Sequence, residues 1–416
     1  MNTKTLKWKP NGKEKSDKSL SAHVLFLLAI TVESGMAASS AILLAVTFNL
    51  LFTLIQMAFP PSFQEYIAML NKALPLSLIL MSALPASAAN NEEVLPANEN
   101  AATQQIGRMI EDTVRTEFKN GLARRGAHAK PHGCVHAEFR VFDKLPEEVR
   151  IGIFAAARTY PAWIRYSNSS GKAQDDSTGD GRGMGIKLMG VEHSDSGTQD
   201  FLMINHPVFF VRNAADYVEF QKASSEDSPF KFFFPGLNPF NFRLHEFGIA
   251  NAIRSTEVAN PLNTRYWSTT PYRFGDTAMK FSARPCGAAS PFVETSSPNF
   301  LHKNMQNHLA QSEACFDFLV QLRKHPWEMP IEDPTIEWSE KDSPFIPVAR
   351  ITIPAQAFTS PEQLKFCENL SYTPWHAIPE FQPLGGINRV RKTVYDTISR
   401  VRHELNGDER REPTGF

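Results

Sequence analysis

The sequence predicts an α+β chain, a mainly antiparallel β-barrel with helices around it, and three observations carry that prediction. From Cys134 onward, short runs alternate apolar and polar side chains, the period of a half-buried strand. Turn-forming residues are frequent between the runs, and no internal repeat organises them into blades or coils. Apolar residues at helical spacing mark one segment before the strands, and an arginine-studded helix closes the chain.

Ile106, Met109, Ile110, Val114 and Phe118 share one helical face, so Thr103–Ala123 reads as an amphipathic helix ending around Gly121–Gly126. Cys134–Phe142 alternates, with Val135, Ala137, Phe139 and Val141 on one face. A helical piece is expected over Pro146–Arg158, then strands over Ala162–Asn168, Met184–Met189 and Phe201–Asn205. Ala214–Ala223 reads as a helix. Strands follow over Met279–Ala283, Cys315–Leu322 and Phe345–Ile353, and an arginine-studded helix, Ile387–Leu405, closes the folded part. The glycine-rich GDGRGMG (Gly179–Gly185) sits among turn residues and leads into another strand. That disfavours a nucleotide-binding fold, in which such a loop opens a helix.

A formal net charge of −1 over 416 residues, with no basic stripe, argues against nucleic acid as a partner. The 31 phenylalanines suit a large apolar interior. Cys134, Cys286, Cys315 and Cys367 are far apart with no C-x-x-C pair, which disfavours a zinc or thioredoxin-type centre. They read as small buried hydrophobes, or as one or two disulfides if the chain is exported.

The first residues read as an address. A Lys-rich start precedes an apolar stretch whose second part, Ala41–Phe59, nearly reaches the length of a membrane span. From Met69 a second pattern follows: a basic start at Lys72, an apolar core Ala73–Leu84 and an A-S-A site at Ala86–Ala88. This is the form of a secretory signal peptide. Residues 1–68 are expected to be upstream read-through or a membrane anchor, 69–88 the signal peptide, 89–102 a linker, 103–405 the folded domain and 406–416 a polar tail. Either way the domain is expected to face outside the cytoplasm, periplasmic or secreted. Contact with a membrane is confined to the N-terminal segment.

Three blocks concentrate residues capable of chemistry: RRGAHAKPHG (Arg124–Gly133), WIRYSNSSGK (Trp163–Lys172) with GDGRGMGIKLMG after it, and DFLMINHPVFFVRN (Asp200–Asn213). His128, His132 and His136 recur every four residues, but Pro131 and Gly133 exclude the helix that would make them one metal face.

The order of these blocks resembles the catalase superfamily, which carries H-A-K, R-F-S, P-R-G-F-A and N-x-P-x-F-F-x-R-D in turn. The counterparts are His128–Lys130, Arg165–Ser167, Gly181–Gly185 and Asn205–Asn213. Glu337–Ile351 is similar to the family's W-x-x-K-D-x-P-x-I-P-V segment, and Arg391–Arg402 to its R-x-x-x-Y helix. The resemblance implies an eight-stranded antiparallel barrel, a b-type haem, and a compact member without the long C-terminal domain of large catalases. It also implies a hydroperoxide substrate and a homodimer.

Roles follow from the resemblance. Tyr395 would be the axial iron ligand, with Arg391 one turn earlier favouring the phenolate by its charge. His128 would be the acid–base catalyst, oriented by Ser167. Arg125, Arg165 and Arg402 would hold the haem propionates, as guanidinium suits a carboxylate. Tyr217 would stack on the porphyrin where catalases have Phe, and Phe209 and Phe210 would line the access route.

One departure bears on substrate. Catalases have a catalytic asparagine three residues before the proline of the third block, and Ile204 stands there. Asn205 follows and would supply the amide only if the strand bulges, since a one-residue shift turns a side chain to the other face. Ile204 and Ala127 favour a larger, more apolar hydroperoxide over hydrogen peroxide. The expected function is a haem-dependent oxidoreductase that decomposes hydroperoxides. The alternative is a haem-binding or haem-sensing protein of the same fold without fast turnover.

Overall fold

In the computed structural model, residues 93–118, 121–226, 228–287 and 293–416 are described. The expected N-terminal apolar segment and signal peptide lie outside them. Among the described residues no helix is long and apolar enough to cross a membrane.

Strand β1 (Pro131–Val141) pairs antiparallel with β2 (Thr159–Asn168), and β3 (Arg182–Met189) and β4 (Thr198–Ile204) follow in order. The two-residue β5 (Tyr266–Trp267) joins β4 to β7 (Thr277–Pro285), against which β8 (Ala314–Leu322) and β9 (Ile346–Ile353) lie. Pairing of β9 with β1 closes an eight-stranded antiparallel barrel, and β6 (Tyr272–Phe274) hangs from β7 as a hairpin. Alternation decides the two faces. Val135, Ala137, Phe139, Ile164, Tyr166, Met184, Ile186 and Phe318 point into the closed interior. Phe201 and Phe318 meet there at 4.7 Å and Phe139 and Phe318 at 5.1 Å, so the interior is filled by rings. The intervening Arg165, Ser167, Gly183, Gly185 and Ile204 therefore lie on the outer face.

Helices cover that outer side. Helix α1 (Glu99–Phe118), α2 (Ala214–Ser225) and the C-terminal α7 (Gly386–Asn406) share one apolar cluster built on Ile106, Ile110, Val218, Val390, Val394 and Val401. The short α3 (Phe230–Phe233) and α4 (Leu244–Ser255) follow α2, α5 (Phe300–Leu309) lies against β1, and α6 (Pro361–Asn369) precedes α7. The cysteines form two disulfides. Cys134–Cys367 ties β1 to α6 and Cys286–Cys315 braces β7 against β8, with Cα separations of 6.0 and 5.4 Å.

Three expectations change. Helix α1 begins at Glu99, inside the stretch read as linker, because the Glu99 carboxylate is held by Arg389 at 2.6 Å. Pro146–Arg158 is no helix but two single 3₁₀ turns, Glu147–Val149 and Gly152–Phe154. Gly152 has φ +57°, and a Cβ there would stand 2.6 Å from Ile378, so this left-handed turn calls for glycine. The polar tail is docked, with Glu412 2.7 Å from buried Lys187 and the Gly415 carbonyl accepting from the Trp163 indole.

Candidate functional site on the outer face of the barrel

His128 sits on the loop between α1 and β1 with φ +59°, a conformation costing a non-glycine residue about 1 kcal/mol. The loop is stitched to the end of β2: His128 N–H donates to the Ser169 carbonyl (3.1 Å) and Ala129 N–H to that of Ser170 (3.0 Å). Arg165 clamps it further by donating to the His128 carbonyl at 2.9 Å. The ring then lies over β3, with Nδ1 3.1 Å from Ser167 Oγ. Gly183 makes this approach possible, since a Cβ there would stand 2.5 Å from His128 Nδ1. Gly185, two residues on and facing the same way, lies under the Tyr372 ring. The two glycines of GRGMG thus flatten the sheet so that rings can close on it.

The His128 side chain is half-buried. Desolvation, followed by the charges of Arg165, Arg391 and Arg125, pulls its pKa down to about 3, against a smaller upward pull from an Asn168 backbone hydrogen bond. The imidazole is therefore neutral at ordinary pH and able to accept a proton.

Behind the loop a buried polar network fixes its position. His132 Nε2 lies 2.8 Å from Asn168 Oδ1, which also accepts from Arg182. Asp176 accepts from Lys130 (2.7 Å) and from Leu301 N–H (3.0 Å). Burial holds His132 neutral as well, near a pKa of about 3, with the Asp176 charge and the Asn168 hydrogen bond opposing. It is a structural group, and its four-residue spacing from His128 places no metal site between them.

Arg125, Arg165 and Arg402 converge from the loop, β2 and α7. One carboxylate, Glu368, lies 3.0 Å from Arg125 and 3.5 Å from Arg402. Arg125 also donates to the Leu370 carbonyl at 2.5 Å, and Arg402 to that of Glu368. Arg165 Nε is buried without a hydrogen-bond partner. Desolvation first, and then the neighbouring guanidiniums, bring Arg165 and Arg402 each down to about 9. Three guanidiniums around one carboxylate leave a buried surplus of positive charge that would be relieved by a ligand carrying two carboxylates.

Tyr395 and Arg391 lie one turn apart on α7. Tyr395 is half-buried against the apolar cluster beside Tyr217, and its hydroxyl has no hydrogen-bond partner among the described residues. Arg391 does not bond to it. It donates to Thr270 Oγ1 and Asn388 Oδ1, both at 3.2 Å, and its guanidinium stands 5.7 Å from the Phe209 ring. Tyr217 packs on Phe209 at 6.0 Å and Phe220 at 6.2 Å, and Phe210 meets Phe220 at 4.6 Å. Burial foremost, then the Tyr395 charge, raises the Tyr217 phenol, which stays neutral.

Asn205 requires a correction. The β3–β4 ladder is regular through Gly183↔Ile204, with no bulge. Ile204, opposite Gly183, therefore shares the face on which His128 lies. Asn205 instead extends the ladder: its N–H donates to the Arg182 carbonyl and its Oδ1 accepts from Arg182 N–H at 2.6 Å. Its amide oxygen is taken by backbone, its Nδ2 is buried without a hydrogen-bond partner, and no hydrogen bond to His128 is present among the described residues.

The structure thus brings together His128, Ser167, Arg165 and Ile204 on the sheet; Arg125, Arg165 and Arg402 around Glu368; and Arg391, Tyr395, Tyr217, Phe209 and Phe210 under the helices. The charge of Arg391 reaches His128 and links the groups. Sequence reasoning missed Glu368, Tyr372, Thr270 and Asn388. Only Asn388 had a local signal, one turn before Arg391.

The catalase family model matches residues 86–235. Catalase HPII of Pseudomonas aeruginosa is 25% identical over 137 residues, covering 32% of this chain and 19% of that protein. The catalase of Danio rerio is 23% identical over 293 residues, covering 62% and 54%. The chain therefore spans about half or less of the curated relatives it matches. A fungal catalase structure superposes with TM-score 0.57 at 16% identity over 70% of this chain and 62% of that one. Catalase A from Saccharomyces cerevisiae gives 0.56 at 17% over 71% and 66%. Barrel topology, family model and order of blocks agree: the chain has the catalase fold and is similar to catalases over the matched stretch, residues 86–235.

Proposed function

We propose that this chain is a haem-dependent oxidoreductase that breaks hydroperoxides. The observation that carries the reading is a neutral, serine-tethered imidazole next to a three-arginine, one-carboxylate pocket. A haem fits those residues: its two propionates would offset the surplus charge of Arg125, Arg165 and Arg402, and Tyr395 offers a phenol with no competing hydrogen bond. Haem, when bound, supplies the redox-active iron chemistry for O–O cleavage. His128 takes the hydroperoxide's O–H proton and returns it to the departing oxygen, a task that suits a base held neutral. Ser167 fixes the ring that does this, as an orienting partner does in other acid–base pairs. Arg391 lies one helical turn before Tyr395 and brings a positive charge to that side of the site.

Ile204 on the His128 face removes the amide that would position hydrogen peroxide. Losing such a group costs on the order of tenfold to a thousandfold in rate, so the reading favours a larger, apolar hydroperoxide. The export signal read at 69–88 and the two disulfides support a site of action outside the cytoplasm, periplasmic or secreted. Titration of the protein expressed from Met69 with hemin tests the proposal. Saturation at one equivalent is expected, together with an absorbance band that Tyr395→Phe abolishes. Failure to bind hemin stoichiometrically overturns it.

A further inference from the structure

We infer that the open groove between α4 and residues 333–337 binds the hydrocarbon chain of an uncharged hydroperoxide; this rests on the function proposed above. The groove encloses about 440 Å³, within the roughly 300–1,000 Å³ of small-molecule sites. Its apolar wall is Val208, Ile249 and Ile336, with Leu244, Gly248 and Ala252 presented by α4 at four-residue intervals.

Two features commit the groove to this occupant. The first is continuity with the catalytic face. Val208 and Ile249 belong to the same apolar cluster as Ile204, which stands opposite Gly183, on which His128 rests. A chain lying in the groove therefore adjoins the cluster that carries Ile204 on the face of the imidazole. The second is charge. Glu337 lines the groove, and burial lowers the pKa of His206, leaving it neutral. His245 is engaged with the Thr335 carbonyl at 3.2 Å. Lys280, outside the lining, donates to the Ile336 carbonyl at 3.2 Å. No lysine or arginine lines the groove and Glu337 repels a carboxylate, so an ester or hydrocarbon is accepted over a free acid.

Gly248 provides the test. A Cβ built there meets nothing within 4 Å, so a side chain at this helical position enters the groove without a clash. Replacing a mid-helix glycine also improves helix propensity by up to about 1 kcal/mol, so the variant folds at least as well as the parent. Binding of the methyl ester of a hydroxy-octadecenoic acid, and of the corresponding free acid, would be measured by calorimetry on the full protein and on Gly248→Leu and Gly248→Trp. In parallel, kcat/KM of hemin-loaded protein would be taken on a long-chain methyl ester hydroperoxide and on compact cumene hydroperoxide.

The expected result is tighter binding of ester than acid by the parent. Gly248→Trp should lose roughly tenfold or more in ester binding and in kcat/KM for the long chain. Cumene hydroperoxide turnover should be unchanged, and Gly248→Leu should fall between. Preference for the free acid, or full ester binding by Gly248→Trp, overturns the inference. If ester binding behaves as expected but hemin-loaded parent consumes neither hydroperoxide, the groove stands as an alkyl-binding site and the turnover reading falls.

Discussion

Gly183→Ala is the smallest change that tests how the acid–base group is positioned. The added methyl would stand 2.5 Å from His128 Nδ1 and 2.9 Å from Ser167 Oγ, where ordinary contact begins at 3.4 Å. The ring must therefore retreat by about 0.9 Å or swing away, lengthening a hydrogen bond that is 3.1 Å in the parent. A misplacement of about 1 Å at a reacting group costs on the order of a hundredfold in rate. Gly185→Ala is the internal control, because its methyl would meet Tyr372 Cδ1 at 3.2 Å, a deficit of a few tenths of an ångström. The assay is initial-rate consumption of cumene hydroperoxide per bound haem, with thermal unfolding measured alongside. Gly183→Ala should fall about a hundredfold while Gly185→Ala stays near the parent. Equal rates for all three, with Gly183→Ala normally folded, would refute the placement of His128 as the working base.

Other perturbations follow from the same geometry. Glu368→Gln removes the lone carboxylate among Arg125, Arg165 and Arg402; the haem-free protein should lose about 3 kcal/mol in a denaturant titration, with much of the loss recovered on adding hemin. Cys134→Ala/Cys367→Ala opens a loop with a sequence separation of 233 residues and should cost about 2–5 kcal/mol, seen as a lower Tm and a smaller further drop with reductant, which then acts on Cys286–Cys315 alone. His128 titrates near 6.5 in the unfolded chain and at about 3 in the fold, so the unfolded state takes up a proton the folded state refuses. Stability should be full above the ordinary histidine range and decline as pH falls from there toward 3. The slope is up to about 1.4 kcal/mol per pH unit for this group, and urea midpoints of His128→Gln should show a shallower decline.

The barrel was legible because its interior face is dense with Phe139, Phe201, Phe281 and Phe318 at two-residue alternation, a signal local to each strand. Helix α7 was legible as an arginine-studded segment, Ile387–Leu405, within one residue of its observed ends. Pro146–Arg158 misled because its apolar text matches a helix while Gly152 takes a left-handed turn against Ile378 and Phe381, residues far along the chain. The site was readable where function is carried by short blocks, as with His128 and Ser167. It was unreadable where a partner arrives from a distance: Arg125 meets the Glu368 carbonyl across 243 positions, and no local pattern marks that glutamate. Asn205 shows the intermediate case. Its type suited catalysis, but which face a side chain takes at a strand end depends on the ladder, and here Arg182 N–H claims the amide oxygen.

The account stands most directly on hydroperoxide consumption by hemin-loaded protein, compared between the parent and His128→Ala at equal haem occupancy. The parent should consume cumene hydroperoxide, and the variant should bind hemin equally well and act at least about a hundredfold more slowly. A haem-loaded parent that leaves every hydroperoxide unconsumed, or a His128→Ala protein as fast as the parent, would contradict it.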